Sequence, residues 1–376
     1  MIGADIFNET LLGFLAPVRR YLEDPTVSEV MINGPSQVYV ERRGQLELTD
    51  ARFDSGEAVL CALRNAAQFV GKHIDERSPI LEGRLPDGSR LLAVVPPAAP
   101  DGPYVSIRRF ARENFSVGRL LELDSISADV AKALQAIVCA KLNVMIAGGT
   151  GSGKTSLLNM LTHFIPDGER IVVIEDSKEV QVQKQHVVSL EARPPGPDGR
   201  GAVSIRDLFR ASLRMRPDRI VIGEIRGGEA LEIIQAMVSG HGGCMGTLHA
   251  TYPRDTLARL ETMSMMSDVD MPLVAMRAQI ASAVQVIVQA ARLQDGTRKI
   301  THVSEVRGFD PQTGRYDLQD LFVRRFEGVD EQGRVKSELL PSGQLPAFLP
   351  QLHQHGVDLP RASYDAAAKS WGCDEL

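Results

Sequence analysis

The chain has 376 residues, 43% of them hydrophobic, which predicts about two domains with sizeable apolar cores. Its net charge of −6 at pH 7 argues against a protein whose main partner is a nucleic-acid backbone. Widely separated cysteines disfavour a disulfide framework or a zinc site, and we expect a cytoplasmic protein because the start lacks a basic signal region and no apolar run reaches the ~20 residues of a membrane span.

Residues 1–115 are predicted to form a small α+β domain, because helices alternate there with short antiparallel strands. Apolar residues recur at helical spacing from Leu11 to Leu22, and Ser55 is a candidate cap for a second helix that ends near Val70. Alternating patterns between turn residues predict strands over 29–33, 37–41, 45–48, 81–84, 89–95 and 104–110. The periodicity becomes weak from about residue 111, which predicts a linker that we place at 116–127.

Four arginines stand at strand ends of this domain. Arg84 and Arg90 flank a hairpin turn, while Arg108 and Arg109 end the last strand. An ordinary solvated edge accounts for them, and the alternative is that one or two reach a phosphate bound in the next domain.

The segment that follows the next apolar run, Val144–Ile146, fits the phosphate-loop pattern G-x-x-x-x-G-K-[ST] at every fixed position. It reads Gly148, Gly149, Thr150, Gly151, Ser152, Gly153, Lys154, Thr155 and then Ser156, which opens a predicted helix. Glycines let successive N–H groups point at phosphate oxygens, and the helix N-terminus adds a favourable dipole. Lys154 supplies a charge to the β- and γ-phosphates, and Thr155 offers a hydroxyl to Mg²⁺.

From residue 128 to 327 the chain alternates helices and strands, which predicts a parallel sheet with crossover helices. Further strands are predicted over 171–176, 187–190, 220–224 and 246–249. Ligands of such sheets bind at the carboxyl ends of the strands. Glu175, Asp176, Glu224 and His249 lie at those ends, so we expect them to converge on the loop.

Glu224 is the best candidate to orient or deprotonate an attacking water. Gly223 stands where a phosphate-loop ATPase commonly has a Mg²⁺-binding Asp. The metal would therefore depend on Thr155, phosphates, water, Glu224 itself and either Glu175 or Asp176.

Two arginines and two histidines are further candidates. A helix predicted over 204–214 places Arg210 and Arg214 four residues apart on one face, where they are either a solvated basic face or stabilise phosphoryl charge from this or a neighbouring subunit. His241 lies in a glycine-rich loop and His249 follows a strand. Each is structural or senses the γ-phosphate, and metal ligation is disfavoured because no cysteine joins them.

The remaining chain shows less chemistry. Helices are predicted over 254–264 and 271–284, with nearby methionines that we interpret as core filler or a subunit contact, the core being preferred. Strand pairs are predicted around Asp295-Gly296 and Thr313-Gly314. Residues 328–376 are predicted to be a loose C-terminal tail with a helix near 345–353.

The order of motifs resembles the type II/type IV secretion-system ATPases, and most closely the CpaF-like branch that powers Tad (Flp-type) pilus assembly. The resemblance covers about 24–323 and includes the phosphate loop, Val30–Pro35, Gln37–Arg42, Leu85–Arg90, Ile174–Asp176, Leu190–Pro195, Leu213–Arg219, Gly223–Ala230 and Gly240–Ala250.

This resemblance implies roles for several residues. The family's Asp box matches Glu175, Asp176 and Glu179, its Walker B strand matches 219–224 and also carries Gly before Glu, and its His box matches 240–249. Its arginine fingers match Arg210 and Arg214. Its N-terminal arginines that approach nucleotide match Arg90, Arg108 and Arg109.

The resemblance also implies a RecA-like P-loop ATPase domain of the α/β class preceded by a smaller α+β, PAS-like domain. Family members are homohexameric rings that use ATP and Mg²⁺ and drive an inner-membrane platform protein, so a peripheral location at the inner membrane is expected. Whether the pilus is extended, retracted or both stays open. A conjugation-type export motor and a nucleotide-binding regulator without turnover are the alternatives, whereas a nucleic-acid motor is disfavoured by the acidic balance.

Overall fold

The computed structural model describes residues 9–42, 44–109, 116–196, 199–360 and 363–364. Phe110, the last residue of the predicted sixth strand, lies outside these ranges. The chain divides into two compact units, Met1–Glu113 and Asn114–Leu376.

The first unit is built on an antiparallel sheet in the order β3-β2-β1-β6-β5-β4. Its strands are β1 Val27–Asn33, β2 Gln37–Arg42, β3 Gln45–Leu48, β4 Ile80–Arg84, β5 Arg90–Val94 and β6 Tyr104–Arg108, and its helices are α1 Ala16–Glu23 and α2 Gly56–Phe69. Alternate strand residues such as Val30, Ile32 and Ile107 are buried in one core with Val18 and Leu63 of the helices. Ser55 caps α2 by accepting a hydrogen bond from the Ala58 N–H, as its position predicts.

The second unit contains a nine-stranded sheet in the order β15-β14-β13-β12-β7-β11-β10-β8-β9. Its strands are β7 Val144–Gly148, β8 Ile171–Glu175, β9 Val187–Glu191, β10 Arg219–Ile222, β11 Met245–Leu248, β12 Val286–Arg292, β13 Arg298–Asp310, β14 Arg315–Val329 and β15 Val335–Pro341. Its helices are α3 Val117–Glu122, α4 Ala128–Cys139, α5 Lys154–His163, α6 Ile205–Ser212, α7 Glu229–Val238, α8 Pro253–Ser264, α9 Leu273–Ala283 and α10 Leu349–Gln354.

The predicted parallel sheet is confirmed for β7 to β12, and three antiparallel strands, β13 to β15, extend it. The central strands are buried on both faces because helices cover both sides, which is why they read as continuous apolar runs. Residues of α4 and α5 share one core cluster, and residues of α7, α8 and α9 share the other.

The linker and tail predictions need correction. Ser116 accepts a hydrogen bond from the Arg119 N–H and so caps α3 within the predicted linker. The predicted boundary at residue 327 cuts through β14, and the tail continues as β15 and α10 rather than as loose chain. Leu352 is fully buried in the second unit, which explains why this segment is ordered.

Two smaller differences concern a helix end and the methionines. α6 ends at Ser212, so Arg214 lies beyond it and does not share a helical face with Arg210. Met263 and Met276 are buried core residues as preferred, whereas Met265 and Met266 are 58% and 62% exposed. Among the residues that the structure describes, no helix has both the length and the apolar character that crossing a membrane requires.

Candidate functional site

The glycine-rich loop joins β7 to α5 at the carboxyl edge of the parallel sheet. Gly151 and Gly153 have φ angles of +71° and +92°, which other residues rarely adopt. A Cβ atom on Gly148 would lie 2.4 Å from Ser152 Oγ and 2.5 Å from the Ala290 carbonyl oxygen of β12. The backbone therefore forms a cradle that side chains would fill, as a phosphate site requires.

Lys154 is buried at the start of α5. Its Nζ donates to the carbonyl oxygens of Gly148 (3.1 Å) and Gly149 (3.0 Å) and lies 3.4 Å from Nδ1 of His249. The lysine charge thus lies inside the loop, where the ammonium group can leave the carbonyl oxygens and bind phosphate oxygens instead.

Glu224 and His249 meet beside this lysine, as the strand ends predicted. His249 Nε2 lies 3.1 Å from Glu224 Oε1, and Arg226 Nη2 donates to Glu224 Oε2 at 2.7 Å. A neutral imidazole with its proton on Nε2 satisfies both contacts, because Nδ1 then accepts from Lys154.

The charges agree with that assignment. Burial lowers the pKa of His249, and the nearby Lys154 charge lowers it further. Burial raises the pKa of Glu224, but Arg226, helped by His249 and Lys154, more than offsets it, so the pKa of this carboxyl lies below its ordinary value. Glu224 is therefore ionised at neutral pH, as a group that orients water must be.

Glu175 fills the space that Gly223 leaves. A Cβ atom on residue 223 would lie 2.8 Å from Glu175 Cγ, which is the physical reason for glycine before Glu224. Glu175 Oε1 accepts hydrogen bonds from the Glu179 and Val180 N–H groups, both at 2.8 Å. Burial raises the pKa of Glu175 to about 7, even though those hydrogen bonds lower it.

Oxygen donors suited to Mg²⁺ lie near the loop. Thr155 Oγ1 donates a hydrogen bond to Glu179 Oε2 at 3.3 Å. Glu175 is the last residue of β8, and Glu224 follows β10 at the same edge of the sheet. Across residues 9–360, excluding the undescribed gaps, no three His, Cys, Asp or Glu side chains are arranged as a ready metal site. A hydroxyl and carboxylates that share the metal with phosphates and water fit Mg²⁺ better than a preformed protein cage.

The two candidate arginines lie apart from this cluster. Arg210 donates through Nη2 and Nε to the two carboxylate oxygens of Glu232 on α7, at 2.6 and 3.1 Å. Arg214 is exposed after the end of α6. Neither has a contact with Lys154 or Glu224 among the hydrogen bonds and ion pairs of the described residues.

His241 lies at the opposite edge of the sheet. It precedes β11, and its carbonyl oxygen accepts from the Cys244 thiol at 3.1 Å, near the start of β7. β11 therefore separates His241 from His249, and γ-phosphate sensing by His241 stays a prediction.

The first unit carries a row of arginines. Arg108, Arg90 and Arg84 lie directly opposite one another on β6, β5 and β4. Like charges directly opposite one another are unfavourable in a sheet, and Arg84 and Arg90 each have a further interaction partner. The guanidinium of Arg109 instead donates to the carbonyl oxygens of Asp24 and Val27. Arg109 therefore anchors the start of β1, and Arg84 completes the row.

Three further arginines, Arg226, Arg292 and Arg298, lie near the loop. Arg226 links Glu224 to Asp176, with Nη1 3.3 Å from Asp176 Oδ2. A Cβ atom on Gly151 would lie 3.5 Å from Arg292 Nη1, and one on Gly153 would lie 3.4 Å from Arg298 Cδ. Arg292 and Arg298 are paired across the β12–β13 hairpin, so two further cations lie at the loop. The predicted hairpin with an arginine on each strand was the only signal for them.

Comparison with known proteins gives consistent results. A family model described as type II/IV secretion system protein matches residues 14–325. A putative conjugal transfer protein of Mycobacterium tuberculosis is 34% identical over 301 residues, covering 78% of this chain and 84% of that protein. The type IV secretion system protein VirB11 of Bartonella quintana is 32% identical over 339 residues, covering 79% and 94%.

Solved structures give the same fold. The pilus retraction motor PilT with bound ADP has a TM-score of 0.54 at 19% identity and covers 82% of each chain. The Legionella pneumophila ATPase DotB has a TM-score of 0.54 at 18% identity and covers 80% of this chain and 81% of its own. These matches confirm the predicted fold, a RecA-like domain preceded by a smaller α+β domain.

Proposed function

The chain belongs to the type II/IV secretion system protein family, and on that premise we propose that it is a Mg²⁺-dependent ATPase and one subunit of a homohexameric secretion or pilus motor. The observation that carries this is the meeting of Lys154, Glu224 and His249 at one glycine-rich loop. A loop alone binds phosphate, whereas an ionised carboxylate beside Lys154 adds a group that orients or deprotonates water.

Binding begins with exchange of partners at the loop. The N–H groups of residues 149–155 receive the phosphates, and Lys154 leaves the Gly148 and Gly149 carbonyl oxygens for the β- and γ-phosphates. Thr155, Glu175 and Glu224 are the residues that would hold Mg²⁺, with Asp176 as an alternative to Glu175. When bound, Mg²⁺ neutralises charge on the phosphates.

Hydrolysis then needs a positioned water and cations around the γ-phosphate. Glu224 orients the water, and His249 senses the phosphate through its contact with Lys154. Arg210 and Arg214 act on the phosphates of a neighbouring subunit, a role supported by their exposure on the second unit. Arg210 must first leave Glu232, which makes the trans site dependent on assembly.

Further cations surround the nucleotide in this proposal. Arg292 and Arg298 contact it from the β12–β13 hairpin, because they already lie at Gly151 and Gly153. We also propose that Arg90 and Arg108 bind nucleotide phosphates, a role that the motif resemblance implies.

We place the motor at the inner membrane, where it acts on a platform protein of a Tad pilus and assembles or retracts pilin. The support is the motif pattern of the chain, in particular Leu190–Pro195 and the hairpins of the first unit. A conjugation or type IV secretion motor is the second candidate, and the relatives named for conjugal transfer and VirB11 favour it. Deleting the gene and scoring surface pili against plasmid transfer separates the two.

The first experiment measures Mg²⁺-ATPase turnover per subunit across protein concentration, with Glu224→Gln alongside. We expect turnover to rise steeply with concentration and to fall about 100-fold or more in the variant, while nucleotide binding is kept. Turnover that is independent of concentration would remove the trans arginines. Persistent activity in Glu224→Gln would move the water-orienting role to Glu175 or Glu179. Binding without turnover at any concentration would favour a regulator.

A further inference from the structure

A continuous line of polar contacts runs from the loop to Asp176, whose contact with Arg226 the hydrolysis described above does not use. Lys154 contacts His249, His249 contacts Glu224, Glu224 contacts Arg226, and Arg226 contacts Asp176. The line joins the phosphate loop to the end of β8, with His249, Glu224 and Arg226 between Lys154 and Asp176.

In this arrangement Glu224 is occupied on both oxygens. Oε1 lies 3.1 Å from His249 Nε2, and Oε2 accepts from Arg226 Nη2 at 2.7 Å. Each oxygen can still accept a second hydrogen bond, but a donor that stays in place competes with water for Glu224 and draws negative charge from the carboxylate, which weakens it as an acceptor. His249 is the residue closer to Lys154, so Arg226 is the donor that can leave without breaking the contact toward the phosphates.

Arg226 is built to exchange partners. Glu229 Oε1 accepts from the backbone N–H groups of Arg226 (2.8 Å) and Gly227 (2.9 Å), which fixes the backbone from which the side chain extends. The side chains of Arg226 and Asp176 are each 52% exposed, and their contact is 3.3 Å. Because the guanidinium already touches both carboxylates, it keeps an ionic partner when it leaves Glu224 and stays on Asp176.

We infer that Arg226 is a positioning residue that bridges Glu224 and Asp176, and that it releases Glu224 and stays on Asp176 when a nucleotide draws Lys154 to its phosphates. The inference rests on the proposed ATPase function and adds a switch to it. Asp176 is then the acceptor that lets Arg226 release Glu224, and it acts on the reaction only through Arg226.

The test combines single and double variants. Asp176→Asn keeps the shape of the side chain and removes its charge, so Arg226 stays on Glu224. We expect kcat to fall about tenfold, a coupling of the size that contacting residues show. We expect KM for ATP and the Kd of a non-hydrolysable ATP analogue to change less than twofold, because the loop is untouched.

Arg226→Gln provides the decisive comparison, because it removes the clamp. In that background Asp176→Asn should change kcat less than twofold, since Asp176 has no arginine left to receive. Arg226→Lys should restore part of the tenfold dependence on Asp176, because it keeps a cation that either carboxylate can hold. Arg277→Gln, which removes an arginine bound to Glu261 on α8, is the matched control and should leave kcat within twofold.

Two results would overturn the switch. Losses from Asp176→Asn and Arg226→Gln that multiply in the double variant would mean that Asp176 acts independently, for example on Mg²⁺. A loss carried by KM and by the analogue Kd would mean that both residues support binding. A wild-type chain that binds the analogue and never turns over ATP would overturn the proposed function together with the switch. If Glu224→Gln loses turnover but the losses from Asp176→Asn and Arg226→Gln multiply in the double variant, only the switch is overturned.

Discussion

The buried carboxyl of Glu175 makes the stability of the second unit depend on pH. Glu175 is 3% exposed, and burial raises its pKa from 4.5 to about 7. Between these values the folded chain holds a proton that the unfolded chain has lost. The contribution of Glu175 to stability therefore falls by about 3 kcal/mol as pH rises from 4.5 to about 7, and this contribution is constant above that pH.

Glu175→Gln should remove that pH dependence. The amide oxygen can accept the same two backbone N–H groups, but it does not titrate. We expect the free energy of unfolding of the variant relative to wild type to increase between pH 5 and pH 8, measured without nucleotide by urea titration. Glu57→Gln, an exposed residue paired with Arg64, is the control. Curves that stay parallel for wild type and Glu175→Gln would show that the carboxyl is ionised throughout.

At the scale of elements, the loop depends on where its glycines lie against the sheet. Gly148 is paired with Ala290 across β7 and β12, and an added Cβ atom would clash with its carbonyl oxygen and with Ser152. Gly149, one residue later, has no atom within 4 Å of an added Cβ. Of these two neighbouring glycines, only Gly148 is therefore required by close packing.

Gly148→Ala should destabilise the chain by about 1–3 kcal/mol because two strands must separate. Gly149→Ala should remain within about 0.5 kcal/mol of wild type. Denaturant unfolding of the two variants measures the difference, and a fluorescent ATP analogue reports whether the Gly148 variant also loses binding. Equal stability of the two variants would mean that the loop relaxes away from β12.

The elements that sequence patterns predicted are those with local signals. Hairpins around Pro86-Asp87-Gly88 and Asp295-Gly296 and the fully apolar strand β8 were predicted because turn residues and runs mark them. The end of α6 was not, since Ser204 caps its start but nothing in the pattern marks Ser212 as its last residue. β15 was missed because its exposed alternate residues are polar and its buried ones few.

The candidate site shows the same limit. Lys154, Glu224 and His249 were placed together correctly because strand ends of a parallel sheet share an edge. Periodicity does not encode contacts between distant elements. It therefore did not predict that His241 lies at the other edge or that Arg210 is paired with Glu232.

At the scale of the whole molecule, the residues that open the second unit are tied to its last strands. Lys299 Nζ donates to Asp124 Oδ2 at 2.7 Å and to the Leu123 and Asp124 carbonyl oxygens. Arg324, whose side chain is fully buried, donates to Asp124 and to the Ser125 and Ile300 carbonyl oxygens. Strands β13 and β14 therefore hold the start of this unit in place. The C-terminal segment that the sequence predicted to be loose follows these strands.

Asp124→Asn tests this tie with little backbone cost, because Asn tolerates the φ of +50° found at this position. It removes the charge that faces two buried cations, so we expect a loss of about 1–3 kcal/mol and a melting temperature lower by roughly 3–8 °C. Asp167→Asn, which removes a 92% exposed partner of Lys184, should change the melting temperature by less than about 2 °C. Nucleotide affinity should be kept in both, since neither residue contacts the loop. Equal melting of both variants would mean that backbone carbonyl oxygens alone hold Lys299 and Arg324, and that the last strands secure the unit through packing rather than through Asp124.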